Sequence, residues 1–261
     1  MNILLTNDDG MGCEGILRLA EELRRKTGHK IYVLAPDSDR SGVSQAISIK
    51  KPLRIKARGP DTWVCSGTPA DCVIAAFLGA LPFKPEILIS GINAGPNLGT
   101  DIVYSGTAAA ARQGGLFRIP SIALSLAGFT APLYWDRAVS FAVSRLDELL
   151  RLWTEDIFIN VNIPNGPEEP AGMAVTFPSR RRYHDTLTSF DAPDGAAYCF
   201  VNAGPVESEN EPGSDEEAVS RNLVSVSPVY LYPVVRLDRC AAAPACGGVA
   251  PRPEQSGVSM E

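Results

Sequence analysis

The opening residues constrain the fold of this chain more than any other stretch. A short apolar run of strand length begins the sequence, and the motif Asn7-Asp8-Asp9-Gly10 follows it at once. This pattern predicts a buried strand that ends in a tight, negatively charged turn. In a parallel α/β sheet, ligands bind at the carboxyl ends of the strands. Because two neighbouring carboxylates repel each other and a bound cation relieves that repulsion, the turn predicts a metal site.

Composition narrows the classes of protein to consider. The 261 residues suffice for one large α/β domain, alone or with an appendage, and 45% of them are hydrophobic, as in an ordinary globular core. The net charge of −6 supplies no overall basic field, so we expect no nucleic acid duplex as partner. No apolar run reaches the roughly 18 residues that span a bilayer. The N-terminus shows no secretory signal, so we expect no membrane association and a cytoplasmic location.

Cysteine and histidine usage limits the kind of metal site. The six cysteines show no CxxC spacing, which favours reduced thiols over a disulfide or zinc framework. The only histidines are His29 and His184, too few for a histidine-rich dinuclear site or a zinc triad. Any metal must therefore be held mainly by oxygen, which favours Mg²⁺, Mn²⁺ or Ca²⁺.

Hydrophobic patterns along the chain predict alternating strands and helices. A β-α-β unit opens the chain, and its parallel, right-handed form is the expected one. Thr68 and Asp71 match the two arms of a capping box at a helix start. Predicted strands lie at 31–35, 86–90, 121–126 and 157–163, and predicted helices at 16–23, 68–81, 108–114 and 135–153.

The predicted fold is therefore α/β, with a mostly parallel sheet flanked by helices and a smaller β-rich C-terminal appendage. We expect residues 1–164 to form the core, with antiparallel ribbons inserted at about 43–66 because three short segments there alternate (45–49, 53–57 and 62–65). Residues 165–240 contain weaker strands and form the appendage. The Ala/Pro/Gly-rich tail, residues 241–261, is predicted to be disordered.

Further polar loops are predicted at the same edge of the sheet as the acidic pair. Ser41 follows the second strand, Asn93 follows the third, and Ser105 and Thr107 precede an alanine-rich helix. Ser41 could merely occupy a solvated turn and Asn93 a left-handed turn position. Ser105 or Thr107 could simply be a helix cap, although the same geometry also forms a cradle for a phosphate.

The convergence of these loops favours a cation that binds a phosphate. Two carboxylates with neutral Ser and Asn oxygens suit a hard octahedral cation that keeps several waters. They neutralise a dication formally, while its open positions polarise a phosphoryl oxygen. An acidic site without the cation would repel a phosphate by about 4 kcal/mol for each close like-charge pair near a surface.

Five motifs, in order, resemble the SurE family, the survival-protein-type 5′-nucleotidases. Their ordered occurrence is highly specific over the first half of the chain, while the second half matches more loosely, as at 159–164 and 224–228. The motifs are Asn7-Asp8-Asp9-Gly10; Ala35-Pro36-Asp37 with Arg40-Ser41-Gly42; Gly67-Thr68-Pro69-Ala70-Asp71-Cys72; Ser90-Gly91-Ile92-Asn93-Ala94-Gly95-Pro96-Asn97-Leu98-Gly99; and Tyr104-Ser105-Gly106-Thr107.

The resemblance implies a metal-dependent phosphatase that hydrolyses nucleoside 5′-monophosphates, often also 3′-monophosphates, and sometimes short polyphosphate. It implies one divalent cation per subunit, Mg²⁺ or Mn²⁺ with Ca²⁺ as a further option. It also implies a Rossmann-like N-terminal region, and a C-terminal portion that exchanges segments in a homodimer or homotetramer. The matching metal ligands are Asp8, Asp9, Ser41 and Asn93.

The expected mechanism uses the same edge of the sheet. Asn97, Ser105, Gly106 and Thr107 are the predicted phosphate-binding residues, and a water oriented by Asp8 or Asp9, the predicted catalytic residues, attacks in line. A covalent aspartyl-phosphate is the competing mechanism. It ranks lower because the Asp-x-Asp spacing of haloacid dehalogenases is absent.

The chain departs from the family pattern just after the acidic turn. Many members carry His-Ala-Pro or Tyr-Ala-Pro there, whereas this chain has Gly12-Cys13-Glu14. We therefore expect a residue that contacts the substrate, or one at the entrance of the site, to differ from the family pattern. The predicted metal ligands match.

Two other classes of function compete with a phosphatase. A non-catalytic nucleotide or metal sensor could use the same scaffold, and metal-dependent turnover distinguishes the two. A Rossmann oxidoreductase would need a glycine fingerprint after the first strand, where Asp8 and Asp9 stand instead. We expect Arg180-Arg181-Arg182 to form a solvated face, and we leave Tyr183 and His184 outside the site.

Overall fold

The structure, a computed structural model, describes residues 1–233, so the predicted disordered tail lies outside the described residues. The strands are β1 (Asn2–Thr6), β2 (Lys30–Pro36), β3 (Ile55–Gly59), β4 (Thr62–Cys65), β5 (Ile87–Ala94), β6 (Ser121–Ala127), β7 (Ile157–Pro164), β8 (Gly172–Val175), β9 (Arg180–Tyr183), β10 (Thr186–Asp191), β11 (Ala197–Asn202), β12 (Val206–Glu209) and β13 (Leu223–Tyr230). The helices are α1 (Glu14–Lys26), α2 (Pro69–Phe77), α3 (Asp101–Tyr104), α4 (Gly106–Leu116), α5 (Trp135–Ser144), α6 (Leu146–Arg151) and α7 (Asp215–Ser220).

The central sheet has nine strands in the order β3-β4-β2-β1-β5-β6-β7-β13-β8. β1 lies in its interior and pairs in parallel with β2 on one side and with β5 on the other. Only β3 and β13 introduce antiparallel pairs, with β4 and β7 respectively. The predicted α/β class is confirmed. The carboxyl ends of β1, β2 and β5 consequently meet at one edge of the sheet.

Helices cover both faces of this sheet. Successive residues of a strand point to opposite faces, so Ile3 and Leu5 pack in the cluster with α1, α5 and α6. Leu4, between them, packs on the other side in the cluster with α2 and part of α4. All three side chains are fully buried, which explains why β1 reads as a continuous apolar run.

The inserted ribbons are smaller than predicted. β3 and β4 form an antiparallel hairpin, and β4 extends the sheet by pairing in parallel with β2. The strand predicted at 45–49 is wrong. Its polar groups bind the start of α2 instead: Ser48 donates through its N–H and its hydroxyl to Asp71, and Thr68 donates to the carbonyl of Ala46. The capping box predicted for Thr68 and Asp71 is confirmed.

Two other element predictions need correction. The single helix predicted at 135–153 is divided into α5 and α6 at Arg145, whose backbone leaves the helical region (φ −107°, ψ 6°). Strand β5 continues through Asn93 to Ala94, past the residues where a loop was predicted. Asn93 is therefore held by the sheet, since it pairs with Ser125 of β6.

The β-rich appendage consists of two antiparallel ribbons, β9 with β12 and β10 with β11. β8 and β13 follow β7 in the chain but belong to the central sheet. The predicted division at residue 164 stays a prediction. Within residues 1–233, no helix has the length and apolar character needed to cross a membrane.

Candidate metal and phosphate site

The acidic turn leaves β1 at Thr6, so Asp8 and Asp9 lie beyond the regular strand. The side-chain amide of Asn7 donates to the carbonyl of Gly10 at 2.9 Å and closes the turn. Gly10 has φ +93°, and a Cβ there would lie 3.1 Å from the carbonyl carbon of Ser38. Glycine is thus required both by the backbone conformation and by the close approach of the loop after β2.

Asp8 is buried and faces the first turn of α4. The backbone N–H of Thr107 donates to Oδ2 of Asp8 at 3.0 Å, and the Thr107 hydroxyl donates to Oδ1. A Cβ on Gly106 would lie 2.8 Å from the Asp8 Cβ, so the glycine allows this approach. Burial raises the pKa of Asp8, and the hydrogen bonds from Thr107 oppose that rise.

Asp9 is less buried and lies against the end of β5. The N–H of Ala94 donates to Oδ2 of Asp9 at 3.2 Å. Burial, the charge of Asp8 and, to a smaller extent, the charge of Asp39 raise the pKa of Asp9 to about 6, against the lowering effect of the Ala94 hydrogen bond. Ionisation of both Asp8 and Asp9 is therefore unfavourable, because their charges repel each other. A bound cation would relieve this repulsion.

The loop after β2 joins the acidic turn through its backbone. The N–H of Arg40 donates to the carbonyl of Asp8 at 2.7 Å. The next residue, Ser41, donates through its N–H and its hydroxyl to Oδ1 of Asp39, at 2.7 and 2.6 Å. The Ser41 hydroxyl proton is engaged, which leaves its oxygen as an acceptor. Sequence reasoning missed Asp39, which carries a third negative charge near Asp9.

Asn93 is adjacent to the residue that contacts Asp9. Its side-chain N–H donates to the carbonyl of Gly95 at 2.9 Å. That bond fixes the amide by its donor end and leaves Oδ1 available as a neutral oxygen ligand. Asn93 therefore lies next to the residue that contacts Asp9, and Ser41 lies next to Arg40, whose N–H contacts Asp8.

Asn97 is held inside the protein. Its side-chain N–H donates to Ser125 at 2.8 Å, and its backbone N–H donates to Oδ1 of Asn162 at 2.8 Å. Asn160 and Asn162 both donate to its carbonyl, at 2.9 and 3.0 Å. These bonds fix the loop between β5 and α3. They also mean that the backbone N–H of Asn97 and one of its two side-chain N–H groups face protein acceptors, and its phosphate contact stays a prediction.

Ser105 is the N-cap of α4. Its Oγ accepts the N–H of Ala108 at 3.0 Å, so its hydroxyl proton remains available to a ligand. Thr107 differs, because both of its donors bind Asp8. Of the four predicted phosphate-binding residues, Ser105 is the best supported by this geometry, whereas the contacts of Gly106 are with Asp8.

The arrangement fits a hard divalent cation. Two carboxylates and two neutral oxygens are the ligands that such a cation takes in proteins. Among residues 1–233 no group of three or more His, Cys, Asp or Glu side chains is positioned to hold a metal. A cation here would therefore depend on Ser41 and Asn93 in addition to the two acids.

A buried carboxylate ties the loop between β5 and α3 to the residues that precede β9. Asp215 is fully buried and accepts the N–H of Gly99 at 2.7 Å and the N–H of Ser179 at 2.8 Å. Gly99 has φ +50°, and a Cβ there would lie 2.2 Å from the Ser179 carbonyl oxygen. No local sequence pattern pointed to Asp215, because its partners are far away along the chain.

The run Arg180-Arg181-Arg182 differs from the predicted solvated face at Arg181. Arg180 and Arg182 are exposed, as predicted, but the Arg181 side chain is only 11% exposed. Arg181 pairs with Asp101, which also accepts a hydrogen bond from Tyr183. The solvated-face prediction is wrong for Arg181, and the pair anchors α3, which leads directly into Ser105.

Comparison with known proteins agrees with the motifs. The family model described as Survival protein SurE matches residues 3–185. The 5′-nucleotidase SurE of Halorhodospira halophila is 40% identical over 233 residues, covering 88% of this chain and 92% of that protein. The protein of the same name from Synechococcus elongatus is 41% identical over 243 residues, covering 88% and 93%. A crystal structure of the SurE protein from Aquifex aeolicus, 34% identical, matches with a TM-score of 0.78 over 93% of this chain and 98% of that chain. The chain belongs to the SurE family.

Proposed function

We propose that this chain is a divalent-metal-dependent 5′-nucleotidase that hydrolyses nucleoside 5′-monophosphates to nucleoside and phosphate. The observation that carries the proposal is that Asp8 binds the N-terminus of α4, next to Ser105, while the adjacent Asp9 binds the end of β5. The relatives named 5′-nucleotidase SurE support the reaction, since they match most of the chain.

Asp8, Asp9, Ser41 and Asn93 would hold the cation. The charge of the site supports this assignment, because Asp8, Asp9 and Asp39 would otherwise repel a phosphate dianion. A bound Mg²⁺ or Mn²⁺ would neutralise the acids and polarise a phosphate oxygen. Calcium would fit the same oxygen ligands.

Ser105 and Gly106 would bind the phosphate. The Ser105 hydroxyl retains a free proton because its oxygen already serves as the N-cap acceptor. The N–H groups of Thr107 and Ala108 already bind Asp8 and Ser105, so the helix contributes mainly the dipole of α4, which favours an anion. Thr107 acts indirectly by holding Asp8 in place, and Asn97 acts by fixing the loop that precedes α3.

Asp9 would orient the attacking water and accept its proton. Its Oδ2 is bound by Ala94, and its other oxygen faces no hydrogen-bond donor among the described residues. The water oxygen attacks phosphorus in line with the bond to the ester oxygen, that bond breaks, and the departing nucleoside oxygen takes a proton from solvent. Attack by an aspartate would instead leave a phosphorylated enzyme, which hydroxylamine traps.

Activity on 3′-monophosphates and on short polyphosphate belongs to the same proposal. The phosphate contacts at Ser105 and Gly106 involve no part of the sugar, so they would accept other phosphoric esters. A substrate panel measures this breadth directly.

The homo-oligomer is also proposed, and the β10–β11 ribbon supports it. Every residue of both strands is exposed. An isolated two-stranded hairpin has marginal stability in water, and a large exposed apolar patch marks an interaction surface. The exposed apolar side chains of the ribbon are Leu187, Phe190, Tyr198, Phe200 and Val201. Light scattering after size-exclusion chromatography would show a dimer or tetramer that Phe190→Asp weakens.

Phosphate release tests the proposed reaction. The purified protein is incubated with AMP, GMP or 3′-AMP in Mg²⁺ or Mn²⁺, with EDTA as the control. We expect release that depends on the metal and is lost in Asp9→Asn. Saturable nucleotide binding with no release in any metal would overturn the proposal in favour of the sensor.

A further inference from the structure

The loop that follows β6 is fixed by a single side chain. Asn165 accepts the N–H of Tyr134 at 2.9 Å and donates to the carbonyl of Pro132 at 3.1 Å. A Cβ on Gly128 would lie 2.7 Å from the side chain of Asn165, so the loop packs against it as well. The segment from Gly128 to Tyr134 is therefore anchored at its start, its middle and its end.

This loop carries Phe129, which lies beside the candidate metal site. A Cβ on Gly95 would lie 2.6 Å from Cε1 of the Phe129 ring, so the ring rests directly on the glycine backbone. The carbonyl of Gly95 accepts the side-chain N–H of Asn93, a proposed metal ligand. The adjacent Ala94 donates to Asp9. Phe129 thus contacts Gly95, which lies one residue from Ala94, the contact of Asp9, and two residues from Asn93.

The exposure of Phe129 is unusual for a side chain whose loop is so well anchored. The residue is 79% exposed although part of its ring covers Gly95. An aromatic ring carried by an anchored loop, with its surface open to solvent, is a platform for another flat ring. Bases stack on such side chains without sequence-specific hydrogen bonds, because every base has a π-face.

We propose that Phe129 binds the nucleobase of the substrate by stacking. This inference rests on the proposed function, since it takes the phosphate to lie at the acidic turn. The nucleoside then extends from Asn93 towards Gly95, and its base covers the Phe129 ring. Stacking tolerates all four bases and favours the larger purines. Phe129 therefore sets affinity for nucleotides over phosphoric esters that lack a base.

The test compares AMP with ribose 5-phosphate, which differs from AMP only by the missing base. Phe129→Ala should lower kcat/KM for AMP by about 5- to 100-fold through a higher KM, the effect of one lost stack. It should leave ribose 5-phosphate within about twofold of the unmodified protein, and Phe129→Trp should retain AMP activity. Leu78→Ala is the matched control, because it removes an exposed apolar side chain at the end of α2. Equal losses for both substrates, or no loss for AMP, would overturn the inference.

Calorimetry with adenosine separates this inference from the proposed reaction. We expect adenosine to bind the unmodified protein and to bind Phe129→Ala at least about fivefold more weakly. If no phosphate is released but this difference persists, the proposed function fails and the stacking site stands. If adenosine does not bind, or binds both proteins equally, the stacking site is wrong whatever the turnover.

Discussion

Thr107 donates two hydrogen bonds to the carboxylate of Asp8, one from its backbone N–H to Oδ2 at 3.0 Å and one from its hydroxyl to Oδ1. The first turn of α4 therefore serves a carboxylate of the protein before it serves any ligand. Helix N-termini attract anions, and here the anion is the carboxylate of Asp8, in the turn that follows β1. Asp8 is consequently held in a fixed orientation, while Asp9 keeps one side open.

Removing the Thr107 hydroxyl tests this relationship. Thr107→Val retains the shape of the side chain and the backbone bond but removes the donor to Oδ1. We expect the free energy of unfolding to fall by about 1.5–3 kcal/mol, the usual cost of a hydrogen bond to a charged group. We expect kcat for AMP to fall at least about tenfold, because Asp8 loses its orientation. Urea unfolding and steady-state kinetics measure the two effects, and Thr107→Ser, which keeps the hydroxyl, should stay near the unmodified protein.

The sequence predicted the sheet edge that carries Asp8 and Asn93 but not how these groups are bonded. The apolar run before Asp8 and the strand before Asn93 indicated a shared sheet edge, because parallel strands place their carboxyl ends together. That Thr107 binds Asp8 depends on a contact across 99 residues of the chain. Periodicity reports burial and element type, so it is silent on such pairings. Asp39, Phe129 and Asp215 were missed for the same reason.

Gly106→Ala tests the close approach of α4 to Asp8. The new Cβ would lie 2.8 Å from the Asp8 Cβ and 3.0 Å from its Oδ2, so the carboxylate must move. Alanine favours a helix by up to about 1 kcal/mol over glycine, which offsets part of the clash in stability. We expect kcat/KM for AMP to fall about 100-fold, the cost of a misplacement near 1 Å.

Gly28→Ala is the control for this variant. A Cβ on Gly28 would meet nothing within 4 Å, so we expect unchanged kinetics. A Gly106→Ala protein as active as Gly28→Ala would show that the packing of α4 against Asp8 has no role in the reaction.

Asp9→Asn tests the acidic pair directly. The amide keeps the size of the side chain but removes a charge and a proton acceptor. We expect a folded protein whose turnover of AMP is reduced at least about 100-fold, since a general base contributes at least that factor. Circular dichroism establishes folding, and phosphate release in Mn²⁺ measures turnover. A folded, metal-loaded variant with normal activity would exclude Asp9 from the reaction.

The raised pKa of Asp9 predicts how the stability of the metal-free protein depends on pH. The folded protein holds the Asp9 proton up to a pKa of about 6, whereas the unfolded chain loses it near 3.8. Between these values the folded state binds more protons, so stability falls as the pH rises from about 4 through 6. The full effect is on the order of 2–3 kcal/mol, and the raised pKa of Asp8 acts in the same direction.

Urea unfolding in EDTA at pH 4.5, 5.5 and 7 measures this dependence. Other groups also titrate in this range, so the informative quantity is the difference between the unmodified protein and Asp9→Asn. We expect Asp9→Asn to become relatively more stable as the pH rises. Saturating Mg²⁺ or Mn²⁺ should oppose the loss of stability of the unmodified protein at higher pH, because the cation compensates the charge and binds the folded state. Parallel pH curves for the two metal-free proteins would contradict the shift.

Arg181→Ala tests the anchoring of α3 by the appendage. The side chains of Arg181 and Asp101 are only 11% and 13% exposed, and Arg181 also lies 3.4 Å from Glu216. Removing the guanidinium leaves two carboxylates without their cation, so we expect the free energy of unfolding to fall by about 3 kcal/mol. Arg180→Ala is the matched control, since its side chain is 73% exposed and its ion pair at 3.9 Å is solvated. Urea unfolding of the two variants measures the difference. Equal stability would show that Arg181 contributes no more than a solvated surface arginine. A loss confined to Arg181→Ala would show that Arg181 supports α3 and, through it, Ser105.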